Sequence, residues 1–291
     1  MRWGRALTLS AMALCAALAT ACSPLGAFNA LVPKDRVGAV ERDVAYGPLP
    51  RQRLDLYAPP PGAVDGAAPV IVFVHGGSWA SGSKDGYAWA GRALASRGYL
   101  VAVPNYRLVP EVRYDAFVAD TAAAIAWVQS NAGRRGGDPA RLAVAGHSAG
   151  AYNALQAVLA LEFLRRAGGD PDGVRALIDL SGPTDFLPLD TDSTIAAFGN
   201  VPPRALPHTQ PVNRVAPGAP PLLIVHGTDD DTVEPRHARA MADAARAVGA
   251  RVDLHLLEGV DHRGTVLGLS RPFRGRVPTL ELIDAFLKDV L

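Results

Sequence analysis

Cysteine is nearly absent from this sequence. Of 291 residues only two are cysteine, Cys15 and Cys22, and both fall within the first 22. The rest of the chain can form no internal disulfide, so its fold must stand on core packing alone. An excess of charge is also missing: 29 Lys and Arg stand against 28 Asp and Glu, a formal net charge of +1. That balance excludes a basic field for nucleic acid and an acidic tail. No internal repeat or heptad run is present. No cluster of His, Cys and carboxylates has metal-ligand spacing, so no metal and no cofactor are expected. The longest uncharged apolar stretch, Ala6 to Ala21, is shorter than the ~20 residues a membrane span needs.

That stretch follows Arg2 and Arg5 and is mostly Ala and Leu, which fits the apolar region of a secretory signal. It ends Leu18-Ala19-Thr20-Ala21-Cys22. Small residues before a Cys resemble a bacterial lipobox, with Ala19 where Leu is usual. Residues 1–22 are therefore expected to be a signal peptide with Cys22 lipidated, anchoring an exported protein to a membrane that faces the periplasm or exterior. Cleavage after Ala21, with Cys22 incidental, is the alternative. Residues 23–40 read as a tether, and 41–291 as one domain.

What is present is apolar material, 49% of the sequence, with 29 Gly and 24 Pro spread along it as punctuation. Val70–Val74, Leu100–Val103, Leu142–Ala145, Ala176–Leu180 and Leu222–Val225 are short apolar runs, as expected for strands buried on both faces. Arg53–Tyr57 and Val252–Leu257 add two more strands. Helical patterns fall near 84–97, 114–132, 149–167, 235–248 and 278–290. This alternation predicts an α/β fold, a mostly parallel central sheet with helices on both faces. Residues 183–220, rich in Pro, Gly and polar residues, do not fit the alternation. They form either a wall over a site or a surface insertion.

Ligands of open α/β sheets bind at the carboxyl ends of strands, and the chemistry-bearing residues follow the apolar runs. Gly146-His-Ser-Ala-Gly150 lies between a strand and a helix. Gly at two places on either side of Ser148 suits a sharp turn that pushes the hydroxyl outward as a nucleophile. His75-Gly-Gly-Ser-Trp79 follows the strand at 70–74. Its N–H groups at Gly77 and Ser78, with that of Ala149, are candidate donors for the oxyanion of an acyl transfer. His75 and Gly76 are expected to support that loop, and Trp79 to pack. A serine needs a base, and the base an orienting carboxylate. His262 lies just past the last strand. Asp229, Asp230 and Asp231 stand in a row after the strand at 222–225, and chemistry alone leaves the choice among them open. The order Ser, Asp, His is that of α/β-hydrolases. His147 is expected to point away from the Ser148 hydroxyl, and His226 to be structural.

Together with Asn105-Tyr-Arg-Leu-Val-Pro110, these motifs resemble the carboxylesterases related to hormone-sensitive lipase, over the body from about Val40 onward. The resemblance implies an α/β-hydrolase fold and a serine esterase acting on small to medium acyl esters through a Ser148–His262–Asp230 triad. It selects Asp230, with Asp231 as runner-up, because Val233 stands where the family has Val. Glu234 departs from the family's usual Pro, and Ser78 from its third Gly. The form His-Gly-Gly-x-Trp is also similar to that of the kynurenine formamidases, which implies an arylformamidase as the alternative. A non-catalytic binding module of the same fold is a further one.

Overall fold

The computed structural model describes residues 24–291; the leader and Cys22 lie outside the described residues. Eight strands form one sheet: β1 (Val40–Ala45), β2 (Arg53–Tyr57), β3 (Ala68–Val74), β4 (Leu100–Pro104), β5 (Gly137–His147), β6 (Val174–Leu180), β7 (Leu222–Gly227) and β8 (Val252–Leu257). Their order is β1-β2-β4-β3-β5-β6-β7-β8. The β1–β2 and β2–β4 pairs are antiparallel, and every other pair is parallel. Among the described residues, no helix is long and apolar enough to cross a membrane.

The parallel strands are apolar on both faces because both faces are covered. In β3, Val70, Val72 and Val74 enter one core layer, while Ile71 and Phe73 enter the other. Helices Ala116–Asn131, Ala149–Leu159 and Arg236–Ala247 cover the first face, and Ala88–Ala95 and Thr279–Val290 the second. In the last of these, Leu280, Ile283 and Leu287 fall at helical spacing and are buried, so one stripe of the helix packs on the sheet. Parallel register then gathers the carboxyl ends of the strands at one edge. Val74 pairs with Gly146, His147 with Leu180, and Gly227 with Leu257. The loops after β3, β5, β7 and β8 consequently meet there.

Several expectations are corrected. Strand β5 starts at Gly137, five residues before its apolar run. The helix expected over 149–167 is two helices, broken at Ala160, whose ψ of 80° is not helical. Strand β1 was not expected: it lies at the sheet edge with mostly exposed side chains and carries no apolar run. The stretch 23–40 is not a free tether from residue 24 on. It holds the helix Pro24–Leu31, where Phe28 meets the edge of Trp89 at 5.2 Å and Val32, one turn on, is buried. Asp35 pairs with Arg274. Within 183–220, the helix Asp192–Phe198 starts at a capping box on Thr191. Phe186 and Phe198 from this stretch pack on Trp79 and Tyr152.

Phe73 is fully buried at the centre of the sheet. Phe73→Ala is expected to lower the unfolding free energy by about 3–5 kcal/mol, the usual range for truncating a core Phe. A urea titration showing a loss below ~1 kcal/mol would contradict this packing.

Candidate active site

Strand β5 runs into the helix Ala149–Leu159, and Ser148 alone makes the turn, at φ 56° and ψ −127°. A non-glycine residue at positive φ is strained unless its surroundings hold it there. Here the Ser148 N–H donates to Leu180 O on β6 at 2.9 Å, and Ser148 O accepts from the N–H of Ala151 at 2.9 Å. Close approach does the rest. A Cβ on Gly146 would run into the backbone of Gly150, and one on Gly150 into the carbonyls of Val74 and His75. The two motif glycines therefore serve packing of backbone against backbone.

His262 opens the short helix His262–Leu267, capped by the Asp261 carboxylate, which accepts from the Gly264 N–H at 2.7 Å. Its Nε2 lies 2.9 Å from Ser148 Oγ, and its Nδ1 lies 2.8 Å from Asp230 Oδ2. A carboxylate only accepts, so Nδ1 carries the proton and Nε2 turns its lone pair to the hydroxyl. Asp230 Oδ1 accepts from the N–H groups of Thr232 at 3.1 Å and Val233 at 2.8 Å. Burial opposes ionisation of Asp230. Hydrogen bonds from His226, His262 and Val233 outweigh it and hold the carboxyl well below the usual carboxylate range. Asp229 accepts from the Thr228 hydroxyl, and Asp231 is exposed with its carboxylate 3.4 Å from the Thr232 hydroxyl. Of the three adjacent carboxylates, Asp230 is the one that meets His262.

The loop after β3 brings three residues in a row to positive φ: Gly77 at 131°, Ser78 at 52° and Trp79 at 57°. The Gly77 carbonyl is turned inward and accepts from the N–H groups of Ala80 and Ser81. Among the described residues, the N–H groups of Gly77, Ser78 and Ala149 donate no hydrogen bond to the protein. Gly76 lies hard against the turn: a Cβ there would sit 3.1 Å from the Ser148 Cβ and 2.8 Å from His147 O. Both His75 and Trp79 are buried. The His75 ring stacks on Tyr106 at 4.4 Å, and the Tyr106 hydroxyl donates to His75 O. Tyr106 belongs to the Asn105–Pro110 string, so two of the sequence motifs lock together. Burial pushes the His75 imidazole down to about 3, which keeps it neutral. Trp79 donates from Nε1 to Asn153 at 3.0 Å and meets Tyr152 and Phe198 edge-on.

His147 and His226 carry contacts that their sequence context did not signal. The His147 ring lies 5.0 Å from that of His262. Its Nε2 donates to His262 O at 3.1 Å, which leaves Nδ1 to accept from the Tyr87 hydroxyl at 2.9 Å. Burial, reinforced by charge on His262, pushes His147 down to about 3. It braces the backbone of His262 as a neutral donor. His226 lies beside Asp230, at 3.2 Å. The His147 contact needs β5 and the His262 loop to be brought together, which a linear motif does not encode, whereas His226 and Asp230 are only four residues apart.

The BD-FAE family model matches residues 54–244 of the chain. Among curated proteins, the isoprenylcysteine alpha-carbonyl methylesterase of Arabidopsis thaliana is 32% identical over 256 residues, covering 81% of this chain and 59% of that protein. Esterase LipC of Mycobacterium tuberculosis is 31% identical, covering 86% of this chain and 65% of its own length. The chain thus spans less than two thirds of either relative. Among solved structures, an inhibited esterase B from Lactobacillus rhamnosis superposes with a TM-score of 0.79 at 20% identity, covering 99% of this chain and 96% of that one. A hyperthermophilic esterase from Pyrobaculum calidifontis gives a TM-score of 0.70 at 25% identity, covering 90% and 89%. The fold is that of the α/β-hydrolases.

The buried imidazoles set a pH dependence of stability. His75 and His147 are pushed down to about 3 and His237 to about 4, each by burial. Below ~6.5 the unfolded chain takes up their protons and the native state does not, so each weakens folding by about 1.4 kcal/mol per pH unit. Buried Asp179, raised to about 6 by burial, acts in the opposite sense because the native state keeps its proton. His226 does so too: burial lowers it, but its contacts with Asp230 and Val233 outweigh that and raise it. Three groups oppose two. Stability measured by urea unfolding is expected to fall between pH 7 and pH 5. A flat or rising curve would contradict the burial of neutral imidazoles.

Proposed function

The chain belongs to the BD-FAE family, and on that premise we propose that it is a serine carboxylic-ester hydrolase working through an acyl-enzyme. The observation that carries the reading is the chain of contacts from Ser148 Oγ to His262 Nε2 at 2.9 Å and from His262 Nδ1 to Asp230 Oδ2 at 2.8 Å. In this reading His262 takes the proton from Ser148 as its oxygen attacks the substrate carbonyl. Asp230 holds the tautomer and stabilises the imidazolium. The N–H groups of Gly77, Ser78 and Ala149 hold the oxyanion, each worth ~3 kcal/mol to the transition state. The proton then passes from His262 to the leaving alcohol, and water releases the acid by the same path. No cofactor is needed.

The substrate class is small to medium acyl esters. Trp79, Phe186 and Phe198 fill the side of the oxyanion loop with packed rings, which supports a short acyl group there. The relatives' printed names, an esterase and a methylesterase, favour esters over a formamide. We further propose that the protein is exported and held to a membrane through lipidated Cys22. The leader's Arg2, Arg5 and small residues before Cys22 support this.

Three measurements test these readings. In a panel of nitrophenyl esters of rising acyl length with N-formylkynurenine, the short esters are expected to dominate; dominant formamide hydrolysis would overturn the ester reading. Ser148→Ala is expected to lose about 10⁴- to 10⁶-fold in kcat, and Asp230→Asn about 10³- to 10⁴-fold. Asp231→Asn should leave kcat within about twofold, as a solvent-exposed carboxylate outside the contact chain. Full activity in Ser148→Ala would end the proposal, and a reversed Asp ranking would move the acid. Globomycin should block processing of the leader, and unaltered processing would refute the anchor.

A further inference from the structure

His226, the penultimate residue of β7, has 0% exposure, and no step above uses it. Its Nε2 lies 2.7 Å from Val233 O and 3.2 Å from Asp230 Oδ2. A carbonyl oxygen can only accept, so Nε2 carries a proton, and Asp230 Oδ2 lies within ion-pair distance of it. That carboxylate oxygen is also the one that meets His262. The backbone donors of Thr232 and Val233 hold the other oxygen only.

A second carboxylate lies on the same face of the sheet as His226. Asp179 is fully buried, and its Oδ1 accepts from the Gly182 N–H at 2.7 Å. Its Oδ2 has no hydrogen-bond partner among the described residues, and neither has His226 Nδ1. The register puts both side chains on one face of the sheet. Asp179 pairs with Ile224, and His226 lies two residues further along the same strand. Each also feels the other's charge, so that ionised Asp179 favours protonated His226.

We propose that His226, backed by Asp179, is a positioning residue that holds the Asp230 carboxylate in place for His262. This deepens the triad reading and rests on it. The physical need is specific. A carboxylate fixed by one oxygen alone can still swing the other, and the base is oriented through that other oxygen. The His226 N–H pins it, and the charge of Asp179 on the same face of the sheet supports the form of His226 that donates most strongly.

Two substitutions separate this role from packing. The amide nitrogen of Gln falls near the position of imidazole Nε2, and that of Asn near Nδ1. His226→Gln keeps a donor toward Asp230, whereas His226→Asn keeps only the Nδ1 side of the ring. His226→Asn is expected to lose about 10- to 100-fold in kcat, the worth of a charge-assisted hydrogen bond, with KM within about twofold. His226→Gln should recover most of that loss. In an Asp230→Asn background neither change should matter further, since the effect runs through Asp230. Equal losses in the two variants, or additive losses in that background, would overturn the inference. Nitrogen-15 histidine NMR of the wild-type protein needs no variant to fold: His226 Nε2 should carry a proton, and an unprotonated Nε2 would refute the proposal directly. Ser148→Ala run alongside keeps the two readings apart. Full turnover there breaks the triad itself, whereas its loss beside an unaffected His226→Asn breaks only the positioning role.

Discussion

The structure turns on one backbone constraint. Ser148 holds a φ of 56° between a buried strand and a helix, and the neighbouring residues are arranged to permit it. Gly146 and Gly150 let the backbones cross, and Leu180 O anchors the Ser148 N–H. Gly76 lets the next loop come within van der Waals contact of the serine. The same parallel register that buries β5 carries β3, β6, β7 and β8 to the same edge, so Ser148, Asp230 and His262, from distant parts of the chain, need only short loops to meet.

Around that turn the polar groups are mostly held by hydrogen bonds that fix one role. The Asp230 carboxylate is ionised against the cost of burial because it accepts from backbone and imidazole donors at once. His75 and His147 are neutral because burial leaves no room for charge. One braces the loop beside Ser148 through Tyr106, and the other braces the His262 backbone. The strain at Ser148 and the buried imidazoles both oppose folding, and the two apolar layers on the sheet offset them.

Much of this was legible in the sequence, for identifiable reasons. The parallel strands showed as uninterrupted apolar runs because both of their faces are covered. Ser148, His262 and the double-glycine loop showed because each follows such a run. Strand β1 did not, since an exposed edge strand needs no apolar pattern. The choice among three adjacent Asp was closed to chemistry alone. In the structure the Thr232 and Val233 N–H groups turn the Asp230 carboxylate inward and leave Asp231 in solvent. His147 and His226 give no such signal: His262 and Asp179 become their neighbours only when the sheet is assembled, and the nearby Asp230 is turned toward His226 only by the loop after β7.

The central claim is that Ser148 is activated by its contacts with His262 and Asp230. The most direct test is to treat the purified protein with a fluorophosphonate and locate the adduct by mass spectrometry. The account predicts one phosphonyl group, on Ser148, absent after heat denaturation. An unlabelled protein, or an adduct on any other residue, would contradict it.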